Sequence, residues 1–164
     1  MNWYPLLKFL HILAVIMFTG GMFARQLVRT FAKQASSVES FASLSRAAGI
    51  IDMIMVRTGS SAALVLGIIL ALMAGFPILG FLQGASENWL LVSNLLLAGV
   101  IAIIPTVLLP RGKKFEPILQ TALARGEITP ELRTAMEDRA VKVAHLYEEI
   151  AIILITALMV LKPF

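Results

Sequence analysis

Ionisable side chains are scarce inside the apolar stretches of this 164-residue sequence, and the few that occur there are where chemistry could be done. His11 stands in the run Lys8-Phe9-Leu10-His11-Ile12-Leu13. A titratable group held in an apolar span is costly, so it normally faces a partner, a cavity or a cofactor. Imidazole is an axial ligand of b-type haem and also binds copper or zinc. The plainer alternative is a neutral histidine hydrogen-bonded to a neighbouring helix. Lys8, one helical turn earlier, can snorkel outward as an anchor or meet an anionic group such as a haem propionate.

A second group lies near the other end of the chain. His145, Glu148 and Glu149 share one apolar stretch, and Asp52, Arg57, Arg111 and Lys142 are expected at similar depth. Adjacent carboxylates point about 100° apart on a helix, so one of the two glutamates should face inward. An ion-pair network with Arg57 is the expected arrangement; a proton or metal site using His145 and Glu149, at i and i+4, is the sharper alternative. Asn94, if turned inward at the depth of His11, could hydrogen-bond the imidazole and fix its tautomer. Pro105 should kink its helix and free a carbonyl for Thr106 or a neighbour to satisfy. With no cysteine, disulfides, thiolate metal sites, Fe–S clusters and c-type haem attachment are excluded. The sequence holds no nucleophile triad, P-loop, Rossmann glycine pattern or zinc-spacing cluster.

The elements that must position these residues are membrane helices. The chain is 59% hydrophobic and 15% charged, with a mean hydropathy of +0.86, far more apolar than a soluble domain of this size. Stretches of roughly 20 apolar residues, enough to cross about 30 Å of hydrocarbon, occur at about 3–24, 58–80, 89–110 and 144–161. The segment between the first two carries Arg25, Arg29, Lys33, Arg46 and Arg57. That between the last two carries Arg111, Lys113, Lys114, Arg125, Arg133, Arg139 and Lys142. These are 12 of the 14 lysines and arginines. The positive-inside rule then places both basic segments in the cytoplasm and both termini outside a bacterial inner membrane. Trp3, Tyr4 and Trp89 fall at the outer interface. The net charge of +4 is accounted for by topology, so nucleic acid is not an expected partner; the bilayer is, and further membrane subunits or a homo-oligomer are compatible. The first span reads as a retained helix because it is long, lacks a preceding positive cluster and is followed by Arg25 and Arg29.

The expected fold is all-α: a single domain over 1–164, with four transmembrane helices up and down and helical cytoplasmic extensions. Ser37 to Arg57 is helix-compatible and leads toward span two. Thr129-Pro130-Glu131 offers an N-cap, a proline at the first helical position and a first-turn acid. One helix of about 33 residues is expected to run from there through span four, with Leu132, Met136, Ala140, Val143 and Tyr147 on its packing stripe. Gly112, Pro117 and Gly126 should punctuate the intervening connection and leave one short helix near Phe115 to Ala124.

The stretch from Lys8 to Gly21 resembles the first-helix signature of small bacterial membrane proteins related to CopD and HemJ. In that pattern a histidine is followed, after six intervening residues, by an aromatic and then by glycines; here these are His11, Phe18, Gly20 and Gly21, with Lys8 in place three residues before the histidine. Phe18 stands where the pattern usually has Trp, and the arginine after the glycines does not fall at the HemJ spacing. The resemblance covers about 20 residues and the four-span layout. It implies a helical membrane protein tied to b-haem or copper, with His11 as ligand and Lys8 and Phe18 beside the cofactor; Asn94 would join them if its helix turns it inward. On one face, His11 and Phe18 could line one pocket, and the glycines would admit a helix or a flat ligand. His145 is expected roughly 15 to 20 Å from His11 in depth, too far for the opposite axial position. A non-catalytic accessory subunit or assembly factor of a larger membrane complex is the alternative function.

Overall fold

A computed structural model describes residues 2–163. Among these residues the structure is helical with no strand, and four helices are long and apolar enough to cross a membrane. The chain forms two compact units, one ending at Phe76 and the other beginning at Pro77.

In the first unit, α1 (Tyr4–Lys33) starts with Pro5 in its first turn, where the missing N–H costs nothing. After a short turn, α2 (Val38–Ile51) is capped by Ser37, whose hydroxyl accepts the Ser40 N–H at 3.2 Å. It continues through a π-helical segment, Asp52–Arg57, into α3 (Thr58–Ala74), making the 37-residue helix Val38–Ala74. The expectation that Ser37 to Arg57 leads directly into span two therefore holds.

α1 and α3 pack antiparallel with matching positions in step. A Cβ on Gly59 would sit 2.8 Å from the Phe18 backbone nitrogen, and one on Gly21 2.6 Å from Met55 Cβ. Only the absence of a side chain at Gly59 allows backbone to approach that closely. The buried face of α1 is Ala14, Phe18, Gly21, Met22, Arg25 and Ala32, at helical period.

The second unit begins with a short 3-10 turn, Gly80–Gln83, and then α4 (Trp89–Ile103). A π-helical segment, Ile104–Leu108, carries it into α5 (Leu109–Arg125). Pro105 lies in that wider segment, which accommodates its ring and missing donor, and the Thr106 hydroxyl donates to the Ala102 carbonyl at 2.6 Å. The expected short helix near Phe115 to Ala124 is corrected to a continuous helix reaching Arg125. Gly112 and Pro117 do not interrupt it: both are exposed, as is Lys113, whose carbonyl Pro117 cannot bond, so water can satisfy it. Gly126, at φ +67°, ends the helix in the left-handed conformation that glycine adopts freely.

α6 (Pro130–Met136) begins as expected, with the Thr129 hydroxyl accepting the Leu132 N–H at 3.2 Å. The single long helix does not follow. Asp138 starts a new helix, α7 (Arg139–Leu161), by accepting the Ala140 and Val141 N–H groups on Oδ1. A carboxylate N-cap stops and restarts a helix with no glycine or proline needed. The expected packing stripe holds at Leu132, which is fully buried, and at Tyr147, which packs on Leu96 and Gly99, and is corrected at Val143. Val143 is 57% exposed, and the face that α7 buries is Ala144, His145, Glu148, Ala151 and Ile152.

Candidate functional site

His11 lies on the half of α1 that faces α3. Its Cε1 is 3.1 Å from where a Cβ on Gly67 would be, and its ring interacts with the Ala63 backbone. A larger residue at position 67 would displace the imidazole. Nδ1 is buried and has no hydrogen-bond partner among the described residues; neither has the Thr19 hydroxyl, two helical turns along α1. Such a nitrogen loses hydration without replacement, which costs of order 1–3 kcal/mol unless something else takes it up. Phe18 is 5% exposed and seated over Gly59, so its place is the helix seam. Gly21 likewise admits the π-helical segment at Met55 and Val56, while Gly20 has open space around its missing Cβ. Lys8 is exposed.

Further along the same seam, Arg25, 4% exposed, bonds Asp52 Oδ1 through Nη1 at 2.5 Å. Arg57 Nε bonds the other oxygen, Oδ2, at 2.9 Å, leaving its side chain 66% exposed. The π-helical segment sets Asp52 toward α1 while keeping it within reach of Arg57, five residues on. Sequence reading took Arg25 only as a topology marker. The signal that could have found its role is its phase, fourteen residues or nearly four turns after His11 and seven after Phe18. In the same way Gly59, Ala63 and Gly67, four apart, spelled out the facing seam.

In the second unit, the two glutamates divide as expected: Glu148 is buried at 5% exposure, whereas Glu149 is half-buried. The histidine pairs with Glu148 at i+3, His145 Nδ1 to Glu148 Oε2 at 2.8 Å, rather than with Glu149 at i+4. Among the described residues no three of His, Cys, Asp and Glu gather as a metal-holding group. Tyr147 donates its hydroxyl to the Leu96 carbonyl at 3.3 Å and fills the space above Gly99. Asn94 donates to the Ile78 carbonyl at 3.2 Å, so its amide N–H is engaged at the nearby loop. Trp89, expected at the membrane interface, is 4% exposed, with the Lys162 ammonium 5.2 Å from its ring centroid. Arg111 Nε bonds both oxygens of Asp138, at 3.2 and 3.0 Å. Two concavities lie beside α5 and α6, around Ile118 and Glu131, and neither is lined by His11, Lys8, Phe18, Asn94, Arg57, His145, Glu148 or Glu149.

A family model described as a predicted integral membrane protein, DUF2269, matches residues 5–163. The chain belongs to that family. The match takes in all four spans of the DUF2269 protein, so its membrane character rests on the family as well as on its helices. No curated protein and no solved structure matches it.

Proposed function

We propose that this DUF2269 protein is a bacterial cytoplasmic-membrane protein of CopD/HemJ-like type that binds one b-type haem through His11 in a redox or cofactor-handling role. The observation that carries the reading is the buried, unpartnered Nδ1 of His11 in an apolar span. Of the two cofactor chemistries open to an imidazole, haem fits better than a closed copper or zinc site. A five-coordinate iron needs one protein ligand, whereas a metal cage needs several, and none is assembled among the described residues. A bound haem supplies one-electron chemistry. The chain's own residues hold and orient it: His11 gives the ligand nitrogen, Gly67 and the Ala63 backbone limit where the ring can turn, and exposed Lys8 is available to a propionate. The basic segments face the cytoplasm in this reading, with both termini on the opposite side.

Absorption spectroscopy and iron and copper analysis of protein expressed with ample haem test the proposal. A Soret band that disappears in His11→Ala, with the helical circular dichroism retained, is the expected result. Absence of the band and of both metals, or a band unchanged in His11→Ala, overturns it. A stoichiometric membrane partner in cofactor-free protein would instead favour the accessory-subunit reading.

A further inference from the structure

The outward face of the helix Val38–Ala74 is apolar over the thickness of a bilayer except at one place. Ile50, Met53, Ile54, Val65, Ile68 and Leu72 are all exposed. From Ile50 to Leu72 is about 33 Å of helix, close to the hydrocarbon thickness. Interrupting it are Arg57, Thr58 and Ser61, also exposed. Arg57 lies about 10 Å inside the Ile50 end. α1 agrees, since Leu27 and Phe31 remain exposed beyond Arg25, the residue that meets Asp52. The Arg25–Asp52–Arg57 group therefore sits within the apolar band.

A bare guanidinium facing lipid is expensive unless it reaches an anion. Arg57 bonds Asp52 through Nε and its side chain is 66% exposed, so its terminal N–H groups are accessible to a further acceptor. The Thr58 hydroxyl is committed to the Met53 carbonyl at 3.3 Å, but Ser61, one turn from Arg57 on the same face, is exposed. Asp52 divides its two oxygens between Arg25 and Arg57, so Arg57 shares its carboxylate and keeps an exposed guanidinium. We infer that Arg57 and Ser61 form a docking site for the phosphate of an anionic phospholipid in the leaflet next to the basic segments. Its acyl chains run over Val65, Ile68 and Leu72 toward the bilayer centre. The guanidinium fork matches a phosphate, snorkelling brings it to headgroup depth, and a net anionic lipid complements the exposed Arg57 charge. The site is independent of any cofactor at His11.

Native mass spectrometry of delipidated protein titrated with phosphatidylglycerol or phosphatidylcholine of equal chain length tests it. The wild type should retain phosphatidylglycerol preferentially. Arg57→Gln should weaken that retention roughly tenfold, the loss of one charge-assisted contact, and Arg57→Lys should restore part of it. The double variant Lys113→Gln/Lys114→Gln, which removes the same kind of charge from the other unit, should keep the preference. Ser61→Ala should reduce it severalfold and reads the same site if Arg57→Gln fails to fold. Equal binding of the two lipids by wild type, or unchanged preference in Arg57→Gln or in Ser61→Ala, overturns the proposal. So does a stoichiometric membrane protein that co-purifies with wild type and is lost from Arg57→Gln, because the site is then a protein contact.

Discussion

The two units solve the same problem with different parts. Each sets two long apolar helices antiparallel, with a hydroxyl-capped helix near the turn, and each ties arginine to aspartate across an interval of 27 residues, Arg25 to Asp52 and Arg111 to Asp138. In the first unit the seam is backbone against glycine, and its ion pair is sealed inside, with side-chain exposures of 5% and 18%. In the second, a tyrosine ring fills the space above Gly99, the buried polar pair is His145 with Glu148, and the arginine–aspartate pair is open, at 38% and 34%. The same residue pair is thus part of the core in one unit and a helix cap in the other. Depth relative to the seam, more than residue type, decides what it does.

Substituting the glycines should expose that difference most strongly. Gly59→Val drives a branched side chain into the Phe18 backbone, which cannot turn aside, and is expected to cost about 3 kcal/mol or more. Gly99→Ala meets the Tyr147 hydroxyl, the far end of a side chain that can swing away at the loss of one hydrogen bond to Leu96, about 1 kcal/mol. Unfolding by denaturing detergent in mixed micelles measures both. Equal costs would mean that the two seams are equally tight.

Next in size are the aspartates. Asp52→Asn removes the carboxylate charge that the buried Arg25 guanidinium bonds across the seam, and weakening such a buried pair is expected to cost about 2–4 kcal/mol. Asp138→Asn keeps a capping side chain and gives up a half-exposed pair, so about 0.5–1 kcal/mol is expected. The double variant should show additive losses, because the two pairs share no residue. A cost for Asp138→Asn as large as that for Asp52→Asn, in the same unfolding assay, would remove the distinction between core and cap.

What the sequence made legible follows the same division. Composition, span length and the basic segments specify an all-α membrane protein, because twenty apolar residues in water-free surroundings have few alternatives to a helix. Ser37 and Thr129 were legible as caps, since a cap is a local rule. Helix rotation was not, because a span with apolar residues all round carries little information about which side is buried. Hence Val143 was placed on the packing face and is exposed, and Arg25 was counted as a charge outside the membrane and is buried. Asp138 escaped notice because no glycine or proline marks the break and Arg111, which holds it, is 27 residues away. His11 was legible as a polar group in an apolar span, and its Nδ1 is buried without a hydrogen-bond partner among the described residues.

Acid should act on the open pair outside the membrane. Slight burial pushes the Asp138 carboxyl up, but the Val141 and Ala140 N–H groups and the Arg111 guanidinium outweigh it and hold it below the ordinary carboxylate value. A group lowered on folding stabilises the native state fully above its unfolded pKa, near 4, and loses that contribution as pH falls through the folded value. Between neutral pH and about pH 3 the wild type should therefore lose a little stability, under about 1 kcal/mol given the exposure of the pair. The Glu131 backbone N–H at the helix start and the Thr129 hydroxyl also lower the Glu131 carboxyl, so the informative quantity is the difference between wild type and Asp138→Asn. That difference should be present at pH 7 and shrink toward pH 3. If it stays constant across the range, the carboxylate charge adds nothing to the cap, and the two arginine–aspartate pairs differ even more than their burial implies.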